Sequence, residues 1–151
     1  MKIEEIIKSN VNLSKEKKVI LNLMYAQIVI SDKFNELLKP FEISAEQYNV
    51  LRILRGQKGM AVNMSTIQER MLAKNSNTTR LIDKLLIKDY VTREVCPNNR
   101  RKMEILITQK GLSLLKELDP LVEAHENFFS SNLTEAEINT LNELIEKYRT
   151  I

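Results

Sequence analysis

From Asn75 to Lys88 the chain reads Asn-Ser-Asn-Thr-Thr-Arg-Leu-Ile-Asp-Lys-Leu-Leu-Ile-Lys. Ser76, Asn77 and Thr79 are short side chains that donate and accept hydrogen bonds, and Arg80 adds a planar guanidinium fork. Such groups match the edges of base pairs, the fork fitting guanine O6 and N7. Arg80, Lys84 and Lys88 recur at i, i+4 and i+8, so they stack on one helix face and repel by a few tenths of a kcal/mol per pair. Asp83 offsets this only in part, and phosphates would supply the remaining counter-charge. Arg100 and Arg101 stand together farther on, where cations can meet a phosphate or a narrow minor groove. The candidate DNA-contacting residues are therefore Ser76, Asn77, Thr79, Arg80, Lys84, Arg100 and Arg101.

These residues need elements to hold them. The pattern predicts a helix over Ser76–Lys88, with Asn77, Arg80, Lys84 and Lys88 on one third of its circumference and Leu81, Ile82, Leu85 and Leu86 opposite. Ile87 falls on the polar side, and the pattern gives no reason for it. Val91–Cys96 and Met103–Ile107 read as paired strands around a Pro97–Lys102 turn, the second strand alternating cleanly. Upstream, Met60–Val62 suggests a very short strand and Ser65–Met71 a helix. Ser44 and Gln47 form a capping box with Ile43 and Tyr48 as the hydrophobic staple, opening a helix to Arg55. A helix, a corner, a cationic second helix and a basic hairpin make a winged helix-turn-helix, whose second helix can enter the major groove.

Helical segments flank this centre. A short helix is expected over Lys2–Ser9 and a long one over Ser14–Leu38, whose middle, Tyr25–Ile30, is apolar nearly all round. A helix of that kind packs on two sides. Thr108 opens another helix, which Pro120 is expected to interrupt, with Asp119 recapping. Leu118, Leu121, Val122, His125, Phe128 and Phe129 then form an apolar stripe. Thr134, Glu137, Leu133 and Ile138 give the last helix a box and a staple. Residues 1–40 and 109–151 are thus expected to form a helical dimerisation region around a 41–108 lobe, all within one domain spanning 1–151.

The net charge is +3. Asn63–Lys110 holds ten cations against five anions, so it carries +5 and the remainder −2. A basic block in an acidic chain suggests a localised polyanion site. With one cysteine, Cys96, a disulfide framework within the chain is excluded. No apolar run approaches a membrane span, and the first residues do not read as a signal peptide, so a cytoplasmic location is expected. No phosphate loop, metal cluster or nucleophile–base pair stands out, so neither catalysis nor a cofactor is expected.

The sequence resembles the MarR family of bacterial transcriptional regulators over about Ser14–Tyr148. Ile43–Leu51, the Ser76–Lys88 helix and the wing carry the resemblance. The family's wing pattern is Asp-x-Arg, five variable residues, then Leu-Thr. Here the stretch is Asn99-Arg100-Arg101-Lys102-Met103-Glu104-Ile105-Leu106-Ile107-Thr108, then Gln109-Lys110-Gly111. Asn99 replaces the usual aspartate, so an ion pair there becomes a neutral hydrogen bond. Asp89 stands where glycine commonly ends the recognition helix. The resemblance implies a homodimer on a pseudo-palindromic operator, usually a repressor and often released by a small ligand or an oxidant.

Each piece also has a plainer meaning. Asn75–Arg80 alone reads as a polar corner and cap, the spaced cations as a solvated face, and Arg100 and Arg101 as hairpin decoration. Their order and spacing together favour a DNA reader. His125 reads as a packed, hydrogen-bonded histidine ahead of a ligand, and Cys96 as incidental ahead of a redox switch. Phe34, Phe41, Tyr48 and the His125 region are candidates for lining an effector pocket. Two other functions fit: a winged-helix adaptor for an acidic protein, and a redox or ligand sensor with weak DNA affinity.

Overall fold

The computed structural model describes residues 1–150. In chain order it runs α1 (Ile3–Ile6), α2 (Lys15–Leu38), a 3-10 turn (Lys39–Phe41), α3 (Ala45–Gly56), β1 (Val62–Asn63), α4 (Met64–Arg70), α5 (Thr78–Ile87), β2 (Val91–Cys96), β3 (Asn99–Ile107), α6 (Gln109–Ser130) and α7 (Glu135–Tyr148). The fold is mainly α with a small β wing, as the sequence implies.

The helix starts follow local chemistry. Ser44 Oγ accepts the Gln47 N–H at 3.1 Å while Gln47 Oε1 accepts the Ser44 N–H at 2.9 Å. Thr134 and Glu137 make the same reciprocal box at 3.3 and 2.8 Å. Thr108 Oγ1 caps α6 by accepting the Gly111 N–H at 3.1 Å. Each cap satisfies an amide with no partner inside its helix and contributes about 1 kcal/mol.

The core forms around α3. Leu38 of α2, Val50, Leu51 and Leu54 of α3, Ile67 of α4, Ile82 and Leu85 of α5, Ile105 of β3, and Leu115 and Leu118 of α6 are all at most 2% exposed. The sheet order is β1-β3-β2, all antiparallel, with Val62 opposite Ile105 and Val91 opposite Ile107. The short first strand thus ties the hairpin to the start of α4.

Several expectations are corrected. α1 spans four residues, because Lys8 turns left-handed at φ 51°. The wing turn is only Pro97–Asn98, and Arg100 and Arg101 lie inside β3. Val95 pairs with Met103 but Cys96 pairs with Asn99, so Arg100–Lys102 bulge out of the ladder. Such an insertion bends and twists a strand.

Pro120 does not interrupt α6, which runs through it unbroken. Its fixed φ is already helical, so continuing costs one hydrogen bond and a carbonyl clash, roughly 3 kcal/mol. Burial of Leu114, Leu115 and Leu118 before it and Val122 after it outweighs that cost. Asp119 is not a cap: its carboxylate accepts both guanidinium arms of Arg55 on α3, at 2.8 and 2.9 Å.

Asp89 ends α5 in the left-handed region, at φ 58°. The Asp89 N–H donates to Leu86 O and the Tyr90 N–H to Leu85 O, both at 3.0 Å, which closes the helix end. A side chain costs about 1–2 kcal/mol in this conformation, partly offset by the extra chain entropy of glycine. Asp89→Gly should therefore raise the unfolding free energy by roughly 0.5–1 kcal/mol in a urea titration. A lowered midpoint would refute that account.

Candidate nucleic-acid interface

The start of α5 is held from two sides. Asn77 is its cap, accepting the Arg80 N–H on Oδ1 at 3.1 Å. Thr78 is buried, and its hydroxyl donates to Gln68 Oε1 on α4. The Gln68 side-chain amide donates in turn to Lys74 O at 2.5 Å, so one glutamine fastens α4, the corner and α5 together. Sequence reasoning missed Gln68, because nothing in the local spelling marks a partner ten residues on.

This brace leaves Asn77, Thr79, Arg80 and Lys84 exposed and Ser76 half-buried. Among the described residues the Arg80 and Lys84 side chains have no hydrogen-bond or ion-pair partner within the chain. Shallow hollows of about 360 and 410 Å³ flank the helix start. Both are lined by Ser76 and Asn77, and the second also by Ser44, Arg80 and Lys84.

Lys88 departs from the expected three-cation stack. Its Nζ donates to Glu42 O at 2.5 Å and lies 3.9 Å from the Glu42 carboxylate, so it fastens α5 to the 3-10 turn. Asp83 is also taken, accepting from Arg93 of β2 at 2.7 Å. That pair links α5 to the wing and removes a negative charge from the neighbourhood of Arg80 and Lys84. The Asn99 side chain accepts the Arg101 N–H at 3.1 Å, a neutral bond as the sequence implies. Arg100 and Arg101 are exposed. The structure thus sets five candidate residues at the start and face of α5 and two in the wing.

A separate cleft of about 720 Å³ opens between α2, α3 and α6. Phe34 sits between Tyr48 and His125, with ring centroids 5.3 and 5.2 Å away, and Phe129 stacks edge-on beyond His125 at 5.1 Å. The His125 ring makes a 3.3 Å contact to Ile30 O, which joins α6 to α2. Arg52 lies 5.9 Å from the Tyr48 ring, and burial holds the Tyr48 phenol above its ordinary pKa. Phe41, expected here, packs against the main core instead. Sequence reasoning missed Arg52 and Glu126 on the cleft wall.

A braced cationic helix, followed by the hairpin of a three-stranded sheet with exposed arginines on it, defines a winged helix-turn-helix protein. The MarR family model matches residues 43–103. A MarR transcription factor from Planctomyces limnophilus is 31% identical, with 91% of this chain and 98% of that one covered and a TM-score of 0.70. The regulator MhqR of Bacillus subtilis is 26% identical over 133 residues, 88% of this chain and 90% of its own. A mutant MarR from E. coli, solved in complex with operator DNA, is 26% identical over 90% of this chain and 99% of that one, with a TM-score of 0.73. The chain belongs to the MarR family of transcriptional regulators. These relatives are regulators and not enzymes, and among the described residues no helix is long and apolar enough to cross a membrane.

Proposed function

We propose that this protein is a homodimeric repressor that binds a pseudo-palindromic duplex operator and is released by a small-molecule effector. The observation that carries the reading is the pair Arg80 and Lys84, unpaired on a helix whose start is fixed by Asn77 and Gln68. Ser76, Asn77, Thr79 and Arg80 meet base edges, Lys84 meets phosphate, and Arg100 and Arg101 reach the flanking backbone or minor groove. The E. coli relative solved on operator DNA supports duplex binding by this fold. The protein acts in the cytoplasm, where the duplex is.

Dimerisation draws support from unburied apolar surface. α7 buries none of its side chains, and Leu141, Leu144, Ile145 and Tyr148 are exposed. On α2, Val19, Ile20, Met24 and Ile28 are exposed as well. Isolated exposed leucines are ordinary, but two terminal helices with this many are the anatomy of an interface. Residues 1–40 and 109–151 form that layer and 41–108 the reading lobe. The aromatic cleft suits the effector: Phe34, Tyr48 and His125 offer ring faces, and Arg52 offers a cation.

The test is selection of bound duplexes from a random pool, followed by titration across a salt series and sedimentation of the free protein. A dimer with a symmetric consensus is the expected result; a monomer that ignores duplexes at low salt would refute the reading. Within the series, Arg101→Ala should flatten the slope of log K against log salt by about 0.9 for each phosphate that is no longer neutralised. Its sequence preference should be unchanged.

A further inference from the structure

Ile87 is 82% exposed, although it sits on the helix that carries the candidate readers. Seven residues separate it from Arg80, close to two full turns, so both side chains lie on one line along the helix face. Lys84 sits beside that line, one turn below Ile87. Arg80 and Lys84 are unpaired, Asp83 is held by Arg93 and Lys88 is turned away to Glu42. The face is thus two free cations with one bare branched hydrocarbon. No described residue covers that hydrocarbon, and the two free cations beside it suit it to a polyanion rather than to an apolar protein surface.

We propose that Ile87 is a specificity-determining residue that reads the C5-methyl of a thymine in the major groove. The inference rests on the DNA-reading function proposed above. Among the base-pair edges of that groove, only thymine offers a methyl group. Ile87 lies about 10 Å along the helix axis from Arg80, at roughly 1.5 Å per residue. That is about three base-pair steps if the helix follows the groove. The contact adds identity without a hydrogen bond, at the end of α5 away from Asn77.

The test uses the operator selected from random duplexes, so failure to obtain one refutes the underlying function and not this assignment. Each thymine is replaced singly by uracil, which removes only the methyl. Wild-type protein should bind about fourfold more weakly at one position per half-site, the value of burying one methyl-sized group. Ile87→Ala, changed in both copies, should bind the thymine operator about fifteenfold more weakly, two such effects combined. It should also erase the thymine–uracil difference at that position while keeping the differences elsewhere. Ala is the better helix former and Ile87 is exposed, so an unchanged melting curve should accompany the effect. An equal weakening on thymine and uracil duplexes would mark a phosphate or protein contact and overturn the proposal. So would undiminished affinity, or a discrimination that survives the mutation.

Discussion

Arg80→Ala should weaken binding to the selected operator by at least about 30-fold at fixed salt, since the proposed dimer would give up two bidentate hydrogen-bonded pairings with bases, worth roughly 1–3 kcal/mol apiece. The fold should not notice, because the side chain is exposed and has no partner among the described residues. Its backbone N–H, which Asn77 uses as a capping donor, survives the mutation. Binding to random duplexes should fall much less, so the ratio of specific to non-specific affinity shrinks. Arg80→Lys separates charge from geometry: it keeps the cation and removes the fork. A lysine variant that keeps full selectivity would show that Arg80 touches phosphate only. Competition binding at two salt concentrations reads both effects.

Gly111→Ala should be the most damaging single methyl in the chain. A Cβ there would lie 2.5 Å from Tyr90 O and 2.8 Å from Ile107 Cγ1. The Tyr90 carbonyl is not free to yield, and Ile107 can give only by rotating its side chain within the packed base of the hairpin. Tyr90 O accepts the Thr108 N–H at 3.0 Å, and Ile107 is paired with Val91 in the ladder. Overpacking combined with a disturbed hydrogen bond should cost roughly 2–4 kcal/mol. That corresponds to a fall of roughly 5–15 °C in melting temperature for a chain of this size. Gly56→Ala is the control, because a Cβ there meets nothing within 4 Å. It ends α3, where alanine should be neutral or stabilise by up to about 1 kcal/mol. Equal melting temperatures for the two variants would contradict the packing account. DNA affinity should fall with Gly111→Ala even where the protein remains folded, because the strain lands where wing, α5 and α6 meet.

What the residue order discloses is mostly local. The Ser44–Gln47 and Thr134–Glu137 boxes and the Thr108 cap are written within four residues, and each forms as spelled. The cationic face of α5 and the alternation of Met103, Ile105 and Ile107 are readable for the same reason. Long-range partners are not. Arg55 finds Asp119 across 64 positions and Lys88 finds Glu42 across 46, so Asp119 reads as a cap and Lys88 as part of an open stack until the chain is folded. Pro120 carries a strong local signal for a break, and burial on both sides overrides it. The expected wing turn runs too far along the chain because the irregular pairing after Val95 has no marker in residue type. Of the candidate site, the placement of its residues on α5 and the hairpin is legible; the brace at Gln68 and the pairing of Asp83 need the folded chain.

The uninterrupted passage of α6 through Pro120 has a mechanical consequence. Thr108 and Gly111 at its first turn are locked to Tyr90 and the base of the hairpin, while His125 in its last third touches Phe34, Phe129 and Ile30. Gly111 and His125 are 14 residues apart, about 21 Å at 1.5 Å per residue. Pivoted at the aromatic end, such a beam displaces its far end by about 2 Å for a tilt of roughly 5°. Arg93 and Asp83 yoke the hairpin to α5, so that displacement carries both candidate DNA-facing elements in step and, in the proposed dimer, would alter the spacing between paired lobes without unfolding either one.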